Sequence, residues 1–167
     1  LSELESVGRS RFPWSSSIES WQEAKASALT DAVTHDHGQC AQLILQPSCV
    51  PLPTNSVNEA LHQASRSGRP RCVSLLSRRA RILLQQLCTT TITTRTPLHS
   101  TIFSITFPNR LSPDELAARH ECARLLLAAR APVDARTADG SVPLTLAIPR
   151  GLPLVKLLSS YSASREL

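Results

Sequence analysis

Aromatic residues and long apolar runs are both scarce in this chain of 167 residues. Only 4% of the residues are aromatic although 41% are hydrophobic, and leucine and alanine supply most of the latter. β-Sandwiches and barrels usually contain more aromatic and β-branched residues, so the composition favours closely packed helices. No run of about 18 apolar residues exists, which argues against a membrane-spanning helix. Residues Leu1–Arg11 also lack the apolar centre of a signal peptide.

Methionine is absent, even at position 1, which suggests an excerpt of a longer gene product. CxxC pairs are absent too, and the five cysteines are odd in number. Because no export signal is visible, we expect a reduced, intracellular setting, in the cytoplasm or also in the nucleus. The Gly-x-Ser-x-Gly, phosphate-binding glycine loop and His-Glu-x-x-His motifs are missing as well. We therefore predict that the chain is not an enzyme and uses no cofactor.

Acidic residues are absent from residues 60–113, so this segment has a charge of +8. The whole chain has a net charge of +5, and the remaining residues therefore sum to −3. The basic residues of this segment are Arg66, Arg69, Arg71, Arg78, Arg79, Arg81, Arg95 and Arg110. Three interpretations compete: a solvated face, a surface for an acidic partner, and a nucleic-acid or nuclear-import signal. The third is disfavoured because no aromatic residue lies between Trp21 and Phe103, and nucleic-acid binding is helped by stacking aromatics.

Four apolar segments recur along the chain with the spacing of the buried side of a helix. They are Cys40–Leu45, Cys72–Leu76, Cys122–Leu127 and Leu154–Leu158, and their starts are 32, 50 and 32 residues apart. Four earlier segments match in the same order: Leu29-Thr30, Leu61-His62, Leu98-His99 and Leu144-Thr145. The pattern predicts four helical hairpins with a period near 33 residues, and the recurring cysteines are expected to pack inside.

The third hairpin is longer than the others, because about 13 extra residues separate its two helices. These residues predict an inserted loop at 103–113, in which Phe103, Phe107 and Asn109 are candidate partner contacts. The β-forming run at residues 88–94 predicts an extended loop before this hairpin. Ser112, Pro113 and Glu115 have capping-box spacing, so the second helix is expected to run from about residue 113 to 129.

The best-defined hairpin start is the sequence Thr96-Pro97-Leu98-His99. Its threonine can cap a helix, its proline suits the first helical position, and its leucine begins the buried side. The histidine is expected to connect neighbouring hairpins by a hydrogen bond. A second start follows at Pro143-Leu144, and Asp139-Gly140 predicts the tight turn before it.

This order of turn, Thr-Pro-Leu-His start, Leu-rich second helix and loop resembles the ankyrin repeat. The resemblance implies an all-α solenoid of about four helix-turn-helix units, the third with an inserted loop. The units are expected at residues 17–50, 54–92, 93–136 and 137–162, with a flexible lead-in at 1–16 and a tail at 163–167. Arg130 stands where the family usually has glycine, so a left-handed arginine is expected there, destabilising by about 1 kcal/mol.

Ankyrin repeats usually bind proteins on a concave face formed by turn tips and first helices, and the resemblance implies the same for this chain. We expect a protein partner, and the arginines favour an acidic one. The candidate contacts are Arg66, Arg69, Arg71, Arg95, Asp139 and Arg150, with His35, Thr137 and Ser141 beside them.

Two narrower resemblances concern ubiquitin ligases. The segment from Cys122 to Arg136 looks like repeats of the SOCS-box receptors, and Leu29–Leu45 is similar to the ankyrin repeat domain 9 family. Both imply a scaffold or adaptor that forms the substrate-recognition part of a cullin-RING ubiquitin ligase. No SOCS box is visible, so contact with cullin-ligase components would need a segment not present here.

An alternative of another class is metal or redox sensing through His35, His37 and Cys40, since histidine and cysteine at short spacing can bind zinc. The repeat register instead puts His37 at a helix entrance and Cys40 on a buried face. We therefore expect no metal site, and we expect Cys40, Cys72 and Cys122 to be packing residues.

The two ends of the stack carry predictions of their own. A helix is expected to start near Ser17 or Ile18 and to run through Trp21, Ala24, Ala28, Leu29 and Ala32. Trp14 and Trp21 are expected to cover this end, as in an atypical first unit. At the other end, Leu154, Val155, Leu157 and Leu158 are expected to form an uncovered apolar surface.

Overall fold

The computed structural model describes residues 13–46, 52–79, 95–105 and 111–163. These residues form eight α-helices and one short 3-10 helix, and no strand occurs among them. The prediction of an all-α fold is therefore confirmed. Within the same ranges, no helix combines the length and apolar character needed to cross a membrane.

The helices follow one another in four hairpins, each with a first and a second helix. Hairpin 1 contains α1 (Pro13–Thr34) and α2 (Gly38–Ile44), and hairpin 2 contains α3 (Thr54–Ser67) and α4 (Pro70–Arg79). Hairpin 3 contains α5 (Pro97–Ser104) and α6 (Pro113–Ala128). Hairpin 4 contains α7 (Pro143–Ala147), the 3-10 helix (Ile148–Arg150) and α8 (Leu152–Ala163).

The four hairpins stack in chain order as two layers. The first helices contact one another in the order α1, α3, α5 and α7, and the second helices in the order α2, α4, α6 and α8. The core lies between the layers, where small and aliphatic side chains are fully buried. Its largest members are Leu29, Val33, Leu61, Leu76, Leu98, Ile102, Ile105, Leu126, Leu154 and Leu158. This packing suits the composition, because small side chains let helices approach closely.

Both helices of hairpin 3 start with capping boxes. The sequence predicts the Ser112–Glu115 box and the Thr96 cap, but not the return contact from His99. The Thr96 hydroxyl accepts a hydrogen bond from the His99 amide at 3.4 Å, and His99 Nδ1 accepts one from the Thr96 amide at 3.2 Å. At α6, the Ser112 hydroxyl accepts from the Glu115 amide at 3.2 Å, and Glu115 Oε2 accepts from the Ser112 amide at 3.0 Å. Each box satisfies two amides that a helix start would otherwise leave unpaired.

Residues with left-handed backbone conformation lie in the turns within and between the hairpins. Asp36 (φ 58°) and Gly68 (φ 67°) lie 32 residues apart, each between the two helices of its hairpin. Arg130 has φ 65° after α6, as its position in the repeat predicts. Asp139-Gly140 forms the predicted turn: Gly140 has φ 78° and its amide donates to the Thr137 carbonyl at 2.9 Å.

The end of the stack at hairpin 1 differs from the prediction. Helix α1 begins at Pro13, before the expected Ser17 or Ile18. Trp21 is 67% exposed, and Ala28 is exposed as well. The expectation that Trp21 covers this end is wrong, because the buried side chains among residues 19–34 of α1 lie near its C-terminal end. Those residues are Leu29, Ala32 and Val33.

The apolar surface of hairpin 4 was expected in α8 and lies elsewhere. Leu154 and Leu158 are buried, and Val155 and Leu157 are partly buried against the core. The exposed apolar residues are Leu144, Ile148 and Leu152. Helix α8 packs its apolar side on α6 and α7, so the uncovered surface comes mainly from the first-helix side of the hairpin.

Some predictions concern residues outside the described ranges. These are the lead-in up to residue 12, the side chain of Trp14, Cys49, Arg81, the loop at 88–94, Phe107, Asn109, Arg110 and the tail from residue 164. Phe103 is described, and it belongs to the last turn of α5, so the inserted segment starts after Ser104.

Candidate functional site

Phe103 is an exposed aromatic residue whose ring lies close to the guanidinium groups of two arginines. The residue is 47% exposed at the end of α5. The guanidinium carbon of Arg95 lies 4.7 Å from the ring centroid, and that of Arg150 lies 5.7 Å from it. Both distances fall within the cation–π range, where each contact at an exposed site contributes about 0.5–1 kcal/mol. These three residues are called the Phe103 cluster below.

The Phe103 cluster joins hairpins 3 and 4 on the first-helix layer. Arg95 directly precedes the Thr96 cap, which fixes where its backbone enters α5. Arg150 ends the 3-10 helix of hairpin 4, and its guanidinium donates a hydrogen bond to the Leu146 carbonyl. Burial lowers the pKa of Arg150, yet a guanidinium stays charged at any ordinary pH. The cluster therefore presents two fixed positive charges and one aromatic ring.

Asp139 adds a carboxylate near this surface, in the turn that leads into hairpin 4. Hydrogen bonding from the Thr137 side chain, then from Ser141, lowers the pKa of Asp139, and the Arg95 charge acts in the same direction. The Ser141 hydroxyl donates to Asp139 Oδ2 at 2.9 Å. The prediction that Thr137 is a partner contact is not supported by its position, because Thr137 is buried and its hydroxyl donates to the Ser141 carbonyl.

The arginines of hairpin 2 have separate roles. Arg66 is exposed at the end of α3, and Arg71 is exposed on α4. Arg69 is instead a structural link, since its Nη2 donates to the Thr34 carbonyl at the end of α1, 3.2 Å away. Arg79 makes a similar link, with Nη1 2.6 Å from the Leu45 carbonyl. Arg69, predicted as a partner contact, therefore connects hairpin 2 to hairpin 1 by closing a helix C-terminus.

A shallow groove of about 690 Å³ crosses the second-helix layer. Arg71 and Glu121 are charged residues on its walls, and Cys40, Leu75 and Leu125 are also among the lining residues. Arg71 therefore lies on a different layer from the Phe103 cluster, and the structure does not bring the two together.

The His35, His37 and Cys40 set does not converge on one point. The two imidazole rings stack with centroids 6.0 Å apart. The intervening Asp36 accepts a hydrogen bond from the Cys72 thiol, 3.8 Å away in the next hairpin. Across the described ranges, no group of three or more His, Cys, Asp or Glu residues is arranged to hold a metal ion.

The recurring cysteines occupy equivalent helices, but one of them is exposed. Cys72 and Cys122 are fully buried, and burial raises the pKa of Cys72 to about 11 and that of Cys122 to about 12. Both are unreactive thiols at neutral pH. Cys40 is exposed, so the prediction that it faces inward is wrong. The cysteine position faces the preceding hairpin, as the Cys72–Asp36 contact shows, and no described hairpin precedes hairpin 1.

One of the two interior histidines makes the predicted link between hairpins. His62 Nδ1 lies 3.2 Å from the Ser100 hydroxyl, which joins hairpins 2 and 3. His99 uses Nδ1 within its own capping box, and its buried Nε2 has no hydrogen-bond partner. Burial lowers the pKa of His99, while backbone groups of Ser141 and Ala135 act in the opposite direction. His99 therefore faces the loop and turn that lead into hairpin 4, where backbone groups of Ser141 and Ala135 lie close enough to its ring to raise its pKa.

Sequence reasoning named the three members of the Phe103 cluster but did not bring them together. Arg95 precedes the Thr96 cap and Phe103 belongs to the last turn of α5, so their contact spans the length of this short helix. The contact from Arg150 depends on how hairpin 4 packs on hairpin 3, for which the sequence carried no signal. Comparison with known protein families, curated proteins and solved structures finds no match for this chain.

Proposed function

We propose that this chain is a protein-interaction module of ankyrin-repeat type, without enzymatic activity, whose Phe103 cluster binds an acidic segment of a partner protein. The observation that carries the proposal is the cluster itself: an exposed aromatic ring held by two guanidinium groups across a junction between hairpins. In an ankyrin-type stack the first-helix layer forms the concave side, which is where the cluster lies.

The chemistry of the cluster suits carboxylate groups next to an apolar residue. A guanidinium binds a carboxylate through two parallel hydrogen bonds, and a ring offers an apolar surface for the neighbouring side chain. Trp, Tyr and Arg dominate the energetics of protein interfaces, and clusters of this kind often act as their centre. Arg66, on the same layer, extends the positive surface along hairpin 2.

Asp139 gives the surface some selectivity. Its carboxylate is ionised at neutral pH because hydrogen bonds lower its pKa. A partner segment with a basic or amide side chain beside its acidic residues can bind Asp139 and the arginines together. A uniformly acidic segment would be repelled at this one position.

The test uses a peptide array that compares acidic–aromatic peptides with variants in which Gln replaces Glu and Asn replaces Asp. Wild-type protein is expected to bind the acidic peptides, while Phe103→Ala and Arg95→Glu each weaken binding at least about tenfold. Arg130→Glu is the matched control, because it makes the same charge change at an exposed residue after α6. Equal binding by Arg95→Glu and wild type, or equal binding of the acidic and amide peptides, would contradict the proposal.

The cullin-RING assignment stays a prediction. It would depend on a ligase-binding segment such as a SOCS box, and the Phe103 cluster fits substrate recognition as well as any other protein interaction.

A further inference from the structure

The exposed apolar residues at the two ends of the stack follow the repeat register. In each first helix, a leucine is followed four residues later by a second residue at the same side. Both residues are fully buried in hairpins 1 to 3: Leu29 and Val33, Leu61 and Ser65, Leu98 and Ile102. In hairpin 4 the equivalent Leu144 is 40% exposed and Ile148 is 65% exposed. This pair therefore faces the following hairpin, and in hairpin 4 it forms an uncovered trailing face.

Hairpin 1 exposes the opposite side of the same register. The second-helix position that is fully buried at Cys72, Cys122 and Leu154 is exposed at Cys40. Three residues later, Leu43 is 65% exposed, whereas the equivalents Leu75, Leu125 and Leu157 are packed against the core. In the first helix, Ala28 is exposed, whereas the equivalent Ala60, Pro97 and Pro143 are buried. In hairpins 2 to 4 these positions face the preceding hairpin, and in hairpin 1 the exposed residues Ala28, Cys40 and Leu43 form the equivalent surface, called the leading face.

We propose that copies of this chain associate head to tail, with the trailing face of one copy packed on the leading face of the next. Inside the chain, first helices contact first helices and second helices contact second helices at each of the three junctions between hairpins. The repeat register then puts a trailing face against a leading face at each junction. The two end faces are thus the separated halves of an interface that the chain already makes with itself. A contact between two different faces is heterologous, so it can add copies in a row rather than closing as a symmetric dimer.

The charges of the terminal hairpins favour the same pairing. Residues 13–46 carry four acidic residues and one lysine, a net charge of −3. Residues 137–163 carry one aspartate, one arginine and one lysine, a net charge of +1. Opposite signs attract the trailing end of one copy to the leading end of another, and like signs oppose contact between two leading ends.

Sedimentation equilibrium of two charged variants tests the pairing. Leu43→Glu places a negative charge on the leading face, and Ile148→Glu places a negative charge on the trailing face, so two altered faces would repel each other. Wild-type protein is expected to rise in average mass over about two decades of concentration, while each variant stays a monomer. A 1:1 mixture of the variants is expected to form dimers and nothing larger, because it contains one intact pair of faces. Both substitutions are at exposed positions, so circular dichroism should show unchanged helicity.

Phe103→Ala is the control that separates this proposal from the proposed function, since it removes the ring of the Phe103 cluster and leaves both end faces intact. It should associate as wild type does. A wild-type protein that stays monomeric throughout would overturn the proposal, as would variants that associate normally. A mixture that remains monomeric would overturn it as well, since the head-to-tail pair would then be missing.

Discussion

Hairpins 1 and 3 carry the same Cys-Ala-x-Leu pattern in their second helices, but the burial of the equivalent cysteines differs. Cys122 is fully buried on α6, whereas Cys40 is exposed on α2. Hairpin 3 also starts each helix with a capping box, while the residue before α2, His37, makes no capping hydrogen bond. Burial in this stack is therefore a property of the neighbours as much as of the residue.

The difference follows from the geometry of a stack. Each hairpin has two apolar sides, and an interior hairpin covers both while a terminal one covers only one. The same residue type then contributes several times more to stability in the interior than at an end. Comparing equivalent positions of interior and terminal hairpins measures this difference directly.

The largest expected contrast is between Ile102→Ala and Ile148→Ala. Ile102 is fully buried and its repeat equivalent Ile148 is 65% exposed. The first substitution leaves a cavity and should lower the free energy of unfolding by about 2–5 kcal/mol. The second should change it by less than about 0.5 kcal/mol in dilute, monomeric protein. Urea unfolding measures both, and equal losses would mean that position in the stack does not control burial.

The second contrast concerns pH. Burial lowers the pKa of His62, His99 and His120, which all lie in hairpins 2 and 3. Below about pH 6.5 the histidines of the unfolded chain therefore take up protons, while those of the folded chain stay neutral until a lower pH. The free energy of unfolding should thus decrease as the pH is lowered. The fall should start near pH 6.5 and continue until the lowered pKa values are reached.

Urea unfolding between pH 8 and pH 5 checks this dependence. His62→Gln should make the fall shallower, because it removes one of the three titrating groups. Glu115 and Asp139, whose pKa values hydrogen bonds lower, contribute stability that is lost only at more acidic pH. An unfolding free energy that is constant from pH 7.5 to pH 5.5 would contradict the prediction.

Gly68→Ala should have the third-largest effect. Gly68 has φ 67°, and a Cβ there would lie 2.9 Å from Arg119 Cγ, on the neighbouring hairpin. The substitution should destabilise the protein by about 1–2 kcal/mol in urea unfolding. Gly140→Ala is the matched control, because Gly140 has φ 78° and an added Cβ there would meet no atom within 4 Å. If Gly68→Ala and Gly140→Ala lower the free energy of unfolding equally, backbone strain alone explains the effect and the Arg119 contact contributes nothing.

The all-α fold, the order of hairpins and the caps of hairpin 3 were readable from the sequence because they depend on local patterns. Helical periodicity and a Thr or Ser followed by Pro act within a few residues. The exposure of Trp21, Cys40 and Leu43 was not readable, because it depends on what packs against hairpin 1. The contact of Arg150 with Phe103 depends likewise on the packing of one hairpin on another.

The next contrast compares the residues that precede α6 and α2, where loss of a capping hydrogen bond should lower the free energy of unfolding by about 1 kcal/mol. The Ser112 hydroxyl accepts from the Glu115 amide at the start of α6, and both residues are solvent-accessible, so Ser112→Ala removes the cap without making a cavity. His37→Ala at the start of α2 should change the free energy of unfolding by less than about 0.5 kcal/mol, since His37 makes no capping bond. Thermal unfolding followed by circular dichroism measures both. A larger loss at His37 would show that hairpin 1 depends on contacts of that side chain.

The smallest expected change is a gain in stability from Arg130→Gly. Arg130 is exposed with φ 65°, a conformation that a side chain disfavours and glycine adopts freely. The free energy gained by relieving this strain exceeds the entropic cost of a more flexible unfolded chain. We therefore expect the free energy of unfolding to rise by up to about 1 kcal/mol. Ala129→Gly, one residue earlier at φ −79°, should instead destabilise the protein. Should both glycines destabilise, the left-handed arginine would be held by contacts stronger than its backbone strain.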